Sequence, residues 1–376
     1  MSIAMRAQLQ NTWTLPGGEW ALALLDMDGT LAVSSSSGKL YLFDVSNYQS
    51  EPVVIAAHDT SINAIVKIDN LHFASCSGDG IKVWDVSSPQ LPLKTLTNAK
   101  KSPFLSLTYA NRRLAGGTEL AGQDAEVHIW DLDKDSDEPV RSFVDSHHDD
   151  VTYLEFHPSL SQYLMSGSTD GYVNIYDLSQ EDEEDALHQV INFASVHSCQ
   201  FIQERRIAVL SHMETLGYFE LNNQDYENAE EPQPNIVGDV RTIWPDCEYV
   251  IKVSPECGYV AYGANSQRKL TIVPFDCKTE SVDQTQPCWF PGAHDEEVVR
   301  DVLALNSNTI MTCGEDGAIR SWTMPWELKY KSVVAETVKE VPTQKHKTEK
   351  SKEEKKKKKL KKEKKHRKKD VKFKPY

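Results

Sequence analysis

"AHDTSINAIVKIDNLHFASCSGDGIKVWDV", residues 57–86, opens beside a histidine, runs through short alternating apolar segments, and closes on a D-G turn followed by an aromatic residue. Two other stretches line up with it: "SHHDDVTYLEFHPSLSQYLMSGSTDGYVNIYDL" (146–178) and "GAHDEEVVRDVLALNSNTIMTCGEDGAIRSWTM" (292–324). In each, a β-branched apolar residue stands four places after the histidine, giving the pairs His58/Ile62, His147/Val151 and His294/Val298. Each reaches a turn aspartate (Asp79, Asp170 or Asp316) after 21, 23 or 22 residues, and each ends on Trp84, Tyr176 or Trp322.

The closing aromatic alone exposes weaker copies. "KLYLFDV" gives Phe43, "EVHIWDL" gives Trp130, "LGYFEL" gives Phe219 and "LTIVPFD" gives Phe275. The seven markers stand 41, 46, 46, 43, 56 and 47 residues apart. A period just above 40, with short alternating strands and D-G or S-G turns, is the pattern of four-stranded propeller blades. Helical repeats of similar length do not fit, because the segments alternate with period two and are rich in Val, Ile, Tyr and Thr.

These motifs resemble the WD-repeat family over roughly residues 1–326. "GTELAGQDAEVHIWDL", "SHHDDVTYLEFHP", "SGSTDGYVNIYDL" with the acidic "EDEEDAL" after it, and "AHDEEVVR" are most similar to the WD repeat-containing protein 89 family. The resemblance implies an all-β fold: a single seven-bladed WD-repeat β-propeller over 1–326. A linker at 327–344 and a lysine-rich basic tail at 345–376, expected to be disordered, would follow. It also implies a buried hydrogen-bonded network in the blades, carried by His58, Asp79 and Trp84; by Asp124 and Trp130; by His147, Asp170 and Tyr176; and by His294, Asp316 and Trp322. A binding platform is implied rather than an enzyme, with no cofactor. The departures are Ser37 at the first turn, an expanded "GGTELAGQDA" in blade 3, and loss of most of the signature in blades 5 and 6. There Pro274 falls inside a strand, which implies an edge or bulged position. The N-terminal segment, at roughly residues 4–10, is expected to supply the outer strand of the last blade.

Bulk properties agree with a soluble binding protein. The 376 residues are 39 % hydrophobic, enough for a sizeable core. No run approaches the roughly 18 apolar residues of a membrane span, and "MSIAMRAQLQNTW" lacks signal-peptide order. Seven cysteines without a C-x-x-C pair argue against a disulfide framework or zinc knuckle, and for cytosol or nucleus. "SHHDDV" (146–151) clusters the metal-ligand types His147, His148, Asp149 and Asp150, but neighbours in an extended segment point to alternating sides. No metal site is expected. No nucleotide-binding glycine loop is present either.

The net charge of −15 hides an asymmetry. Residues 341–376 hold 17 Lys and one Arg against four Glu and one Asp, a net of +13. The other 340 residues hold 23 basic and 51 acidic groups, a net of −28. Candidate nuclear-targeting residues are Lys355, Lys356, Lys357, Lys358, Lys359, Lys361, Lys362, Lys364, Lys365, Arg367, Lys368 and Lys369. The loops that carry the blade histidines share a rim with the D-G turns they pair with. Asp59, Asp149, Asp150, Asp295, Glu296 and Glu297 are therefore a candidate partner-binding rim. The acidic inserts 179–187 and 224–232 belong to other connections.

The function expected is a non-enzymatic scaffold or escort. It would be nuclear and possibly nucleolar, with some in the cytoplasm, and would bind basic proteins such as ribosomal proteins or histones. The tail would add non-specific RNA contact, and the chain would be monomeric outside complexes. The alternative is a substrate receptor of a cullin-type ubiquitin ligase. Val86-Ser87 after Trp84-Asp85, and Leu132-Asp133 after Trp130-Asp131, lack the arginine such receptors often carry.

Overall fold

The computed structural model describes residues 5–223 and 233–329. The acidic insert 224–232, the targeting lysines and nearly all of the linker lie outside these residues. The described chain forms seven antiparallel blades around a ring. Blade 1 is Ala21–Asp26, Thr30–Ser35, Lys39–Asp44 and Val53–Ala56. Blade 2 is Ala64–Lys67, His72–Ser77, Gly80–Asp85 and Lys94–Leu96. Blade 3 is Phe104–Ala110, Arg113–Thr118, Ala125–Asp131 and Arg141–His147. Blade 4 is Val151–Phe156, Tyr163–Ser168, Tyr172–Asp177 and Leu187–Asn192. Blade 5 is Val196–Gln203, Arg206–Ser211, Thr215–Glu220 and Asn235–Asp239.

Blade 6 departs from the pattern. After Tyr249–Ser254 and Tyr259–Ala264, its third strand, Lys269–Asp276, pairs with two outer pieces, Cys288–Pro291 and Ser281–Val282. Pro274 stands where the outer partner switches, and its carbonyl accepts the Asp283 N–H at 2.8 Å. A strand residue's N and O point to the same side. The donor that proline lacks therefore faces the break between the outer pieces.

Blade 7 joins Val299–Ala304, Thr309–Gly314 and Ala318–Thr323 to Gln8–Thr14, which runs from the Gln8↔Thr323 pair to Thr14↔Ala318. The N-terminal segment does close the ring, but about four residues later than the expected 4–10. Met5–Arg6 instead adds a parallel edge to Cys288–Pro291 of blade 6. The Leu15 N–H bonds the Gly317 carbonyl at 2.9 Å and fixes this register. Gly317 sits at φ 71°, and a Cβ there would meet the Glu19 carbonyl at 2.4 Å, so this turn requires glycine.

The core is distributed. Seven apolar clusters each fill one gap between neighbouring blades, so middle strands are covered on both faces. This explains why "LAVSS" and "LMSGS" are buried throughout rather than on alternate residues. Innermost strands are also tied from blade to blade. Ile62 N–H bonds Ser35 O at 3.2 Å, and Asn63 Nδ2 bonds Phe104 O at 2.8 Å. Ser106 Oγ bonds Val151 O at 2.8 Å, and Thr152 Oγ1 bonds Val196 O at 2.6 Å. Val250 N–H donates to Glu214 at 2.9 Å, Val299 N–H to the Tyr249 hydroxyl at 3.0 Å, and Leu24 N–H to Asp301 at 3.0 Å. Each gap thus carries a polar tie as well as apolar packing.

Candidate partner-binding surface

In blade 2, His58 Nδ1 lies 2.5 Å from Asp79 and Nε2 lies 2.7 Å from Ser75 Oγ, which accepts the Trp84 indole N–H at 2.8 Å. One proton assignment satisfies the chain: Nδ1–H donates to the carboxylate, Ser75 donates to Nε2, and the indole donates to Ser75. Burial holds the His58 pKa below its ordinary value against the pull of Asp79, so the imidazole is neutral. Blade 7 repeats the arrangement with His294, Asp316 (2.7 Å), Thr312 (2.9 Å) and Trp322 (3.1 Å). Blade 4 has His147 2.9 Å from Asp170 and 2.7 Å from Ser166, with the Tyr176 hydroxyl 3.3 Å from Ser166 in the place of the indole.

Asp124 and Trp130 of blade 3 are not brought together. The residue in the place of Ser75 is Gly116, paired with His128 as Ser75 is with Lys82. Without a hydroxyl there, the Trp130 N–H turns to the Asp137 carbonyl at 3.0 Å. The loop entering the blade carries Asn98, bonded to Ser102, where blades 2, 4 and 7 carry histidine. Asp124 reaches instead to exposed His148 of the next loop at 3.1 Å. Sequence reasoning missed two local substitutes. Glu19 accepts the Tyr41 hydroxyl at 2.9 Å and pairs with Lys39 in blade 1, while buried Glu126 pairs with His128 at 2.9 Å in blade 3.

The candidate rim divides in two. Asp59, Asp295, Glu296 and Glu297 are exposed, with Glu296 ion-paired to Arg268. Asp149 and Asp150, expected to be exposed, are half-buried. Asp150 accepts the Leu120 N–H at 2.8 Å, and Asp149 accepts the N–H of Asp150. The reason is the expanded blade 3 turn, which crosses to the loop entering blade 4 through Leu120 and Asp124. His147, His148 and Asp150 of "SHHDDV" therefore bond to three different partners. Lys100, Lys101 and Arg241 stand in other loops that enter blades, so this side carries cations as well as acids.

Glu155 and Asp301 tie neighbouring blades together. Glu155 accepts the Phe201 N–H at 2.9 Å, and burial pushes its carboxyl up to about 8. Asp301 holds Lys252 at 3.0 Å besides its tie to Leu24. Six of the seven cysteines are buried, and burial pushes Cys247 and Cys288 up to about 12, away from reactive thiolates.

Seven blades, six of them four-stranded and three stitched by a His–Asp–hydroxyl–aromatic chain, define a repeat propeller. The family model "WD domain, G-beta repeat" matches residues 137–177, the end of blade 3 and most of blade 4. An uncharacterized WD repeat-containing protein of Saccharomyces cerevisiae is 46 % identical over 301 residues, covering 78 % of this chain and 75 % of that one. The chain belongs to the WD-repeat-containing protein family. It is 29 % identical to the WD repeat-containing protein 89 homolog of Dictyostelium discoideum over 211 residues, 54 % of this chain and 56 % of that one. A more distant relative is the ribosome biogenesis protein WDR12 homolog of Nematostella vectensis, 27 % identical over 126 residues, 33 % of this chain and 29 % of that one. WD-repeat propellers are in general scaffolds for protein interaction rather than enzymes.

Proposed function

We propose that this propeller is a nuclear scaffold or escort for a basic protein, of the kind a ribosomal protein or histone represents, held by surface acids. The observation that carries the reading is the −28 of residues 1–340, with Asp59, Asp295 and Glu297 exposed in the loops that enter blades 2 and 7. Exposed like charges raise the rate of encounter with a cationic partner, and salt screens them beyond about 8 Å at physiological strength. The ribosome biogenesis relative gives the partner class some support. Capture of basic proteins by the full chain should fall steeply between low and high salt while the melting temperature barely moves. Asp59→Lys with Glu297→Lys should weaken it further. Capture that is indifferent to salt would overturn the reading.

Import is assigned to the lysines at 355–359 and after. Removing residues 345–376 should move the protein from nucleus to cytosol. A truncated chain that stays nuclear without a nuclear partner would sink that assignment.

A further inference from the structure

The outer cleft between blades 3 and 4 differs from its counterparts in blades 2 and 7 at one position. In blade 2, Lys82 sits opposite Ser75, and its ammonium bonds Asp79 at 2.7 Å and the Ala57 carbonyl at 2.6 Å. In blade 7, Arg320 sits opposite Thr312 and bonds Asp316 at 2.6 Å. Each turn aspartate there serves a histidine and a cation of its own blade. In blade 4 the same position, opposite Ser166, is Asn174. Its Nδ2 takes the Ser146 carbonyl at 2.8 Å, the place Lys82 takes on Ala57, but it brings no charge. Asp170 accepts from His147, the His148 N–H and the Tyr172 N–H, with no lysine or arginine beside it among the described residues.

Asn174 is 2 % exposed, and its Oδ1 has no hydrogen-bond partner among the described residues. It lies on the strand face that lines a cleft of about 690 Å³, together with Asp145, Asp170, Asp182, Glu184 and Tyr172. Among the described residues, no lysine or arginine lines this cleft. Its wall is fixed. Glu183 accepts the Val144 and Asp145 N–H groups at 3.0 and 3.1 Å, and Arg141 holds the insert by its backbone carbonyls at Leu178, Gln180 and Asp182. The acidic insert between the third and outer strands of blade 4 thus folds down onto blade 3 rather than coating the ring.

We propose that this cleft binds an arginine side chain of a basic partner segment, which supplies the cation that blades 2 and 7 carry themselves. The proposal rests on the basic-partner reading and gives that partner a site. A planar guanidinium fits better than an ammonium. It donates several N–H groups in one plane, matching carboxylates and an amide oxygen together, and it stacks on an aromatic face such as that of Tyr172, 39 % exposed. The chain's own basic tail holds a single arginine, Arg367, among 17 lysines after residue 340. An arginine-rich partner is therefore the better occupant.

The test uses the full chain and two fluorescein-labelled peptides, one of alternating Arg and Ser and one of alternating Lys and Ser, read by fluorescence anisotropy at physiological salt. The arginine peptide should bind more tightly. Asn174→Lys installs the blade 2 arrangement and should weaken it by about tenfold or more, the worth of a charge-assisted hydrogen bond, without lowering the melting temperature. Val54→Lys adds the same charge on the exposed outer strand of blade 1 and should leave binding unchanged. Asp145→Asn with Glu184→Gln, both exposed, provides a second lesion should Asn174→Lys fold poorly, and should also weaken the arginine peptide selectively. If wild type binds both peptides equally, or if Val54→Lys weakens binding as much as the cleft variants, the cleft assignment is overturned while a basic-partner scaffold stands. If neither peptide binds and basic proteins are still captured, the cleft alone is again at fault. If neither peptides nor basic proteins bind, both readings fall.

Discussion

Trp84→Ala should unfold this propeller more readily than any surface change, at a cost of about 3–5 kcal/mol. Trp84 is 1 % exposed and packs with Ile62, Phe73 and Ile55 in the gap between blades 1 and 2. Its truncation opens a cavity between two rigid sheets that cannot close over it. It also removes the indole N–H from Ser75, loosening the hydroxyl that holds His58. Urea denaturation followed by circular dichroism should show the midpoint falling while the dependence on urea keeps its slope. Trp84→Phe keeps most of the packing and should cost roughly 1 kcal/mol through the lost hydrogen bond. A Trp84→Ala protein that melts with wild type would mean that the gap between blades 1 and 2 contributes little to the ring.

Asp316→Ala should cost nearly as much for a different reason. The carboxylate serves His294, which is fully buried, the Arg320 guanidinium and the Ala318 N–H. Removing it leaves a cation, an imidazole and an amide without an acceptor in a partly desolvated place, a loss of about 3–5 kcal/mol. Asp170→Ala should cost less, because no cation is stranded in blade 4.

The two states also differ in acid. Burial raises the Asp316 carboxyl, but the bonds from His294 and Arg320 outweigh it and hold the pKa at about 2, below the ordinary 3.8. The unfolded chain therefore binds the proton first. The stabilisation is complete above about pH 4 and is lost as the pH falls through 2, an increment of about 2 kcal/mol. The gap in stability between wild type and Asp316→Ala should narrow by that amount over the same range. A gap constant with pH would show that the carboxylate is not held by charge.

Much of this molecule was legible without coordinates. The distance from His to Asp, the D-G turns and the closing aromatics place blades 2, 4 and 7, because a buried polar chain tolerates few residue types and fixed spacings. Blade 3 was legible in part. "LAGGT" against "FASCS" puts Gly116 where Ser75 stands, and a missing hydroxyl is enough to redirect the Trp130 N–H. Where strands are exposed, the pattern weakens. The closing strand Gln8–Thr14 has only Asn11 and Trp13 partly covered, so alternation could not set its register. The pairing to Ala318–Thr323 and the bond from Leu15 to Gly317 decide it.

Contacts between repeats were beyond the sequence altogether. Nothing local in "SHHDDV" says that Leu120 claims the Asp150 carboxylate, or that Asp124 turns to His148. The acids of "EDEEDAL" read as a solvated coat until Glu183 is seen capping two amides of blade 3. The repeat period reports each blade's internal bonds, which join residues within one unit. Which acids stay free for a partner depends on how a loop of one blade meets the edge of the next, and that is set only when the ring closes.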